Sequence, residues 1–349
     1  MRSYFKPVII VALVVWAAAF SPIQAQTGII GRWITTTGGT TQGTAHSWSS
    51  SGNWLGSAVP NSSGDIASIM ADIGANMFIK LDGGVTIGTL NLGDLGSTQT
   101  YTIGLPGSEI LSFDNQTWGG LFNLGGRAAL NKVQGGADNI VADVKLVSDL
   151  AIYNRVAFTI SGSIGDDGNV KSLLKRGTTN LTLTGANSYM GDTIINTTGG
   201  TVFLNTTGFN AIVSPLIRLG NSSYDGSVST AMTLSQSNQI ADTSVIQFDG
   251  GSGRNAYFRL AGQNETIKGI TDYTAQGVIE NTGATASTLT LNTDGNDYFY
   301  NGYFRDNGAG TLALVKNDAG KLTLSGGTIS YSAATSVNGG ILNVTNGTA

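Results

Sequence analysis

A stretch of short strands and glycine turns occurs twice in the chain, at residues 173–205 and 314–344. Each copy runs from apolar residues through a lysine to Leu-Thr-Leu, and later to a Gly-Gly pair. The matched positions are Lys175 and Lys316, Leu181 and Leu322, Leu183 and Leu324, Gly185 and Gly326, and the glycine pairs Gly199-Gly200 and Gly339-Gly340. Such self-similarity is typical of repeat architectures, in which each unit buries its apolar face on its neighbours.

Alternation of apolar and polar residues with period two runs through most of the chain. It is clear at residues 85–92, 152–160, 289–292 and 311–315, and no helical period extends over a comparable length. The 50 glycines, with abundant Asn, Thr and Ser, suit turns and strand faces rather than helix interiors. The sequence therefore predicts an all-β fold.

Strand-and-turn units of 8–12 residues fit either sandwiches in series or one β-solenoid. The internal similarity and the absence of a linker composition favour a parallel β-helix (β-solenoid) forming a single elongated domain. With about 20–25 residues per rung, the chain would form roughly 13–16 rungs. We expect Thr and Asn at outward and corner positions to form ladders between rungs.

The sequence predicts three segments. Residues 1–25 read as a signal peptide, with Arg2 and Lys6 before an apolar run of 13 residues from Val8 to Phe20, so the mature chain would begin near Gln26. An uncleaved membrane anchor is the alternative. Residues 26–72 hold three tryptophans and are expected to be a lead-in and cap, and residues 73–349 the solenoid. Because the chain stops directly after a repeat strand, we expect a truncated C-terminus.

Charge and cysteine content exclude several classes of protein. The formal charge is −4, and it becomes −6 without Arg2 and Lys6, which argues against binding to nucleic acid or an anionic membrane surface. No stretch after the signal segment is long enough for a membrane span. The chain has no cysteine, so packing and backbone hydrogen bonds must supply its stability.

The first copy of the repeated stretch resembles a known bacterial family. Residues 181–189 (LTLTGANSY) and 191–201 (GDTIINTTGGT) are similar to the autotransporter-associated β-strand repeat, also called the passenger-associated transport repeat. The second copy departs from the pattern, with residues 326–331 (GGTISY) in place of Gly-Ala-Asn-Thr-Tyr. Residues 48–65 and 260–270 also look like parts of such proteins. The resemblance implies a right-handed parallel β-helix exposed outside the cell or on its outer surface, and it implies no reaction.

Few residues are candidates for catalysis or metal binding. The only histidine, His46, lies in the polar lead-in beside Ser47, and it is interpreted as a cap residue rather than part of a catalytic triad. The only adjacent acidic pair, Asp166-Asp167, lies in a sequence that also suits a tight turn. Residues 250–258 resemble one calcium-binding nonapeptide, but Asn255 replaces the ligand aspartate. We therefore expect no catalytic residue, no metal and no cofactor.

Glycan contact is the remaining candidate, and it rests on the aromatic stretch 298–304. Tyr298, Tyr300 and Tyr303 are the predicted contact residues, since solvent-facing rings stack on sugars; packing at a rung edge is the alternative.

The sequence thus predicts a secreted or surface-exposed structural or adhesive scaffold with no catalytic activity. A polysaccharide-binding or polysaccharide-cleaving β-helix protein is the alternative. The expected partners are extracellular glycans or cell-surface components.

Overall fold

A computed structural model describes residues 28–345 except 97, 116–125, 221–228, 252 and 327. The described residues form strands and turns, with three single-turn 3-10 helices at Gln42–Thr44, Ser51–Asn53 and Leu55–Ser57. The all-β prediction is confirmed. The predicted signal peptide, residues 1–25, lies outside the described residues.

Short parallel strands make up the fold. In chain order they are β1 (Ile30–Arg32), β2 (His46–Ser47), β3 (Ile66–Ile69), β4 (Met77–Lys80), β5 (Gly84–Ile87), β6 (Thr89–Gly93), β7 (Tyr101–Ile103), β8 (Ile110–Phe113), β9 (Ala128–Gln134), β10 (Asn139–Ile140), β11 (Asp143–Leu146), β12 (Leu150–Asn154), β13 (Phe158–Ile160), β14 (Ile164–Asp166), β15 (Leu173–Gly177), β16 (Leu181–Leu183), β17 (Thr193–Ile195), β18 (Thr201–Leu204), β19 (Leu216–Leu219), β20 (Thr230–Leu234), β21 (Val245–Phe248), β22 (Ala256–Arg259), β23 (Glu265–Ile267), β24 (Gly269–Asp272), β25 (Gly277–Asn281), β26 (Ser287–Asn292), β27 (Tyr298–Tyr300), β28 (Tyr303–Asp306), β29 (Leu312–Asn317), β30 (Lys321–Leu324), β31 (Thr328–Ser330), β32 (Thr335–Val337) and β33 (Ile341–Val344).

Four parallel sheets run along the molecule. The first long sheet has 13 strands in the order β1-β3-β6-β9-β12-β15-β17-β19-β21-β24-β27-β30-β33. The second long sheet has 12 strands in the order β2-β4-β7-β10-β13-β16-β18-β20-β22-β25-β28-β31. Two four-stranded sheets, β14-β11-β8-β5 and β23-β26-β29-β32, cover two parts of a third face. Each strand pairs with the strand one turn away, so the chain is a β-solenoid.

The solenoid has about 11 turns, and its first long sheet has 13 strands, so the count lies at or below the lower end of the predicted 13–16 rungs. The length of a turn varies along the chain. Register partners are 20 residues apart at Leu173 and Thr193, but 29 apart at Leu216 and Val245. Turns that carry longer corner loops therefore use more chain for the same rise.

Alternate side chains point inward and form one continuous apolar core. In β16, for example, Leu181 and Leu183 are buried and Thr182 lies between them on the outer face. The expected outward ladders are present. Asn131 donates to Asn91 at 2.9 Å, and Asn91 donates to Ser68 at 3.1 Å, so three turns are joined by side chains. A second ladder runs through residues 292, 317 and 338.

The tryptophan-rich segment lies at one end of the stack, where β1 and β2 are the terminal strands of the long sheets. Trp33, Trp48 and Trp54 are each 1% exposed, and Trp54 meets the other two rings edge-on at centroid distances of 5.1 and 4.9 Å. The Trp48 indole donates to the Pro60 carbonyl at 2.7 Å. The segment therefore covers the first turn with apolar surface and leaves its indole N–H groups bonded.

The predicted boundary at residue 72 has no break in the structure, because β3 already pairs with both β1 and β6. Within the described ranges, no helix has the length and apolar character needed to cross a membrane.

Candidate functional site

The tyrosine-rich stretch 298–304 is divided between two faces of the solenoid. A corner at Asn301-Gly302 separates β27, in the first long sheet, from β28, in the second. Tyr298 and Tyr300 point inward and are 9% and 0% exposed. Burial raises the pKa of both phenols. Neither of these two rings is presented to a sugar in this structure, whereas Tyr303 lies on the outer face.

Tyr303 belongs to a cluster on the outer face of the second long sheet. The strand register aligns Tyr257, Val278 and Tyr303 in one row and Arg259, Glu280 and Arg305 in the adjacent row. The inward positions of the same strands are Phe258, Ile279 and Phe304, which belong to the core. We call this outer cluster the arginine–tyrosine face; it comprises Tyr257, Arg259, Val278, Glu280, Tyr303 and Arg305.

Glu280 is the electrostatic centre of the arginine–tyrosine face. The Arg259 Nε donates to Oε1 at 2.8 Å, and the Arg305 Nη2 donates to Oε2 at 2.8 Å. The Asn307 amide adds a third partner, donating to Oε2 at 3.0 Å. Glu280 is fully buried although it lies on the outer face, while the two arginine side chains are about a third exposed. The carboxylate therefore holds both guanidinium groups in place at the surface.

The tyrosines complete the cluster in different ways. The Arg259 guanidinium lies over the Tyr257 ring, 4.5 Å from its centroid, which is within the range of a cation–π contact. Val278 lies between the two tyrosines and is fully buried, yet it is outside the core cluster. It is therefore covered from the outside by the side chains that flank it. Tyr303 itself is partly exposed.

The sequence predicts only Tyr303 of this cluster as a contact residue. A signal for the rest was present: the tripeptide Tyr-Phe-Arg occurs at 257–259 and again at 303–305. With period two, each copy places Tyr and Arg on one face and Phe on the other. What the sequence does not give is the register, which places Glu280 between the two copies.

The acidic pair of the enzyme hypothesis is part of a turn. Asp166 accepts backbone N–H groups from Gly168 at 3.1 Å and from Met190 at 2.9 Å, and Asp167 accepts that of Asn169 at 3.1 Å. The contacts of Asp167 with Asn169 lower the pKa of the Asp167 carboxyl, since hydrogen bonds to a carboxylate favour its ionised form.

His46 packs in the cap beside the edge of the Trp33 ring, and its Nε2 is 2.9 Å from the Thr37 carbonyl. The neighbouring Ser47 donates to Asp82 instead, so the elements of a triad are not aligned. Asn255, of the calcium hypothesis, donates its amide to the Tyr257 hydroxyl at 3.0 Å. Over the described ranges, no group of three or more His, Asp or Glu residues is placed to hold a metal ion.

Each copy of the repeated stretch forms the same corner. In the first copy, β15 and β16 pair with β17 and β18 of the next turn; in the second, β29 and β30 pair with β32 and β33. The Leu-Thr-Leu strand lies in the second long sheet in the first copy and in the first long sheet in the second copy. The repeat therefore specifies a two-strand corner, and that corner occurs at different faces of the solenoid.

The matched lysines lie inside these corners. Lys316 Nζ donates to the carbonyls of Asn317, Asp318 and Gly339 at 2.8–3.0 Å. Lys175 Nζ donates to the Arg176 carbonyl at 2.5 Å, and burial lowers its pKa to about 7. Each lysine thus donates to carbonyls at the end of its own strand and in the turn that follows.

Comparison with protein families identifies the same two stretches as repeats. The passenger-associated-transport-repeat family matches residues 173–203 and 314–344, so the chain carries two copies of this repeat. No curated protein and no solved structure is significantly similar to the chain. The repeats and the solenoid fit an autotransporter passenger-like scaffold and indicate an exported, surface-associated protein.

Proposed function

We propose that the chain is a structural or adhesive scaffold displayed outside the bacterial cell, where extracellular glycans or cell-surface components are its partners. The observation that carries this proposal is the uninterrupted parallel stack, which arranges outward side chains in long regular rows. One such row in the second long sheet contains Thr102, Asn139, Thr159 and Thr182. Rows of short polar side chains suit extended surface contact better than a reaction centre.

The proposed scaffold has no catalytic activity. Two buried acidic side chains support this part of the proposal, because each accepts hydrogen bonds from the backbone. Glu109 accepts N–H groups from Leu81 at 2.9 Å and from Leu105 at 2.7 Å. Asp272 accepts those of Thr274 and Gly277 at 2.7 Å each. Carboxylates bonded in this way close turns, and their oxygens are occupied by backbone N–H groups of the chain itself.

Export tests the proposal. The full chain, carrying a C-terminal epitope tag, is expressed in a Gram-negative host, and the exported product is sequenced from its N-terminus. We expect cleavage near Gln26 and digestion of the tagged protein by protease added to intact cells. The double variant Leu13→Arg with Val14→Arg is the matched control. It interrupts the apolar run and should retain the protein inside. An unaltered chain that keeps Met1 and stays protected from protease would refute the proposed display.

A further inference from the structure

The arginine–tyrosine face carries hydrogen-bond donors that its own carboxylate does not use. Arg259 contacts Glu280 through Nε alone, and Arg305 through Nε and Nη2. Among the residues that the structure describes, the terminal nitrogens of Arg259 and the Nη1 of Arg305 have no hydrogen-bond partner. Both side chains are about a third exposed, so these donors lie at the surface.

The charge of the face differs in sign from that of the chain. Two guanidinium groups and one carboxylate leave a single net positive charge on the cluster, whereas the chain has a formal charge of −4. The guanidinium fork matches a carboxylate in shape as well as in charge. The complementary ligand group is therefore an anion, and a carboxylate matches both the charge and the shape of the fork.

A partly exposed tyrosine lies beside these donors. The Tyr303 ring is on the row next to Arg305 and is partly exposed, while the Tyr257 ring is taken up by Arg259. The exposed part of such a ring can stack on the apolar face of a sugar. Val278, which is fully buried, lies between the two tyrosines in the same row.

We infer that the arginine–tyrosine face binds a carboxylated sugar unit of an acidic polysaccharide, with the carboxylate on Arg259 and Arg305 and the sugar ring on Tyr303. An acidic peptide fits less well. Peptide strands add to free sheet edges, and β22, β25 and β28 each already have a neighbour on both sides. A ligand would therefore contact the side chains of the face rather than its backbone.

This binding rests on the proposed function in one respect, since display outside the cell is what brings the face to an extracellular polysaccharide. Binding is measured with purified protein, so failed export leaves the binding result intact, and failed binding leaves the export result intact.

Isothermal titration calorimetry with oligogalacturonate at low ionic strength tests the inference. We expect the unaltered protein to bind oligogalacturonate and to bind a neutral galactose oligomer much more weakly. Arg259→Gln should weaken oligogalacturonate binding about tenfold or more, since it removes charge-assisted hydrogen bonds. Tyr303→Ala should weaken it severalfold.

Two further variants keep the test decisive. The triple variant R259Q/E280Q/R305Q removes both positive charges without leaving Glu280 buried and unpaired, and it should abolish binding. Arg218→Gln, on the first long sheet, removes an exposed arginine elsewhere and should bind as the unaltered protein does. Absence of oligogalacturonate binding, or full binding by the triple variant, would overturn the inference. Equal affinity for polyglutamate, insensitive to Tyr303→Ala, would also overturn it in favour of a peptide ligand.

Discussion

At the scale of single residues, the core of the solenoid contains ionisable groups that the turns hold in place. Glu265 points inward and is 1% exposed. Its carboxylate accepts the backbone N–H of Gln239 at 2.8 Å and that of Thr266 at 3.1 Å. Burial nevertheless dominates and raises its pKa to about 8. The charged form is thus less favourable in the folded protein than in water.

This raised pKa predicts a pH-dependent stability. A carboxyl with a folded pKa of about 8 and an ordinary value of 4.5 binds more protons when folded, so its contribution to stability is lost as pH rises through that window. Relative to Glu265→Gln, the unaltered protein should lose free energy of unfolding from about pH 4.5 to 8, by on the order of a few kcal/mol. Urea unfolding at several pH values measures the difference.

The matched control for this prediction is Ile267→Val, two residues along the same strand, which removes one methyl group and no titrating group. It should lower stability by about 0.5–1.5 kcal/mol at every pH. A difference between Glu265→Gln and the unaltered protein that is flat across this pH window would contradict the assignment.

At the scale of elements, the corners determine how closely the turns stack. Gly185 and Gly326 follow the Leu-Thr-Leu strands of the two repeats, and each lies directly against a backbone carbonyl one turn away, that of Gly162 or Gly302. A Cβ at either position would collide with that oxygen. The matched glycines are therefore needed for the close approach of two backbones rather than for an unusual backbone angle.

Gly185→Ala should accordingly push the turns apart at this corner and lower the free energy of unfolding by about 1–3 kcal/mol or more. Gly74→Ala is the matched control, because a Cβ at Gly74 meets nothing within 4 Å. Thermal unfolding followed by circular dichroism compares the two variants. Equal midpoints for Gly185→Ala and Gly74→Ala would show that the corner is not tightly packed.

The same elements show which features of the fold can be predicted from the sequence. Period-two patterns identify strands such as β16, because Leu-Thr-Leu places its leucines on one face wherever it lies. They do not indicate on which face of the solenoid a side chain lies after the chain has passed a corner. Tyr298, Tyr300 and Tyr303 are close in sequence, yet the corner at Asn301-Gly302 sends the first two inward and the third outward. The arginine–tyrosine face cannot be predicted from the sequence for a related reason, since it joins residues from three turns through a register that no local pattern encodes.

At the scale of the whole molecule, each strand pairs in parallel with a strand of the neighbouring turn. This pairing joins short strands with weak local sequence patterns into one continuous fold. Every turn shields the apolar residues of its neighbours, so sparse charge and the absence of cysteine are compatible with a stable fold. The same pairing aligns the outward positions of successive turns in rows. Residues as far apart in sequence as 257 and 305 can therefore form one surface, the arginine–tyrosine face.

Disulfide cross-linking measures the turn-to-turn register of the solenoid, because the chain has no cysteine of its own. Thr159 and Thr182 are register partners on the outer face of adjacent strands, at a spacing of about 4.8 Å that a disulfide can bridge. Thr102 lies on the same row three strands from Thr182, at roughly 14 Å.

Under mild oxidation of the folded protein, the pair T159C/T182C should form a disulfide, and the pair T102C/T182C should remain reduced. Formation of the second disulfide without the first would contradict a parallel solenoid in this register.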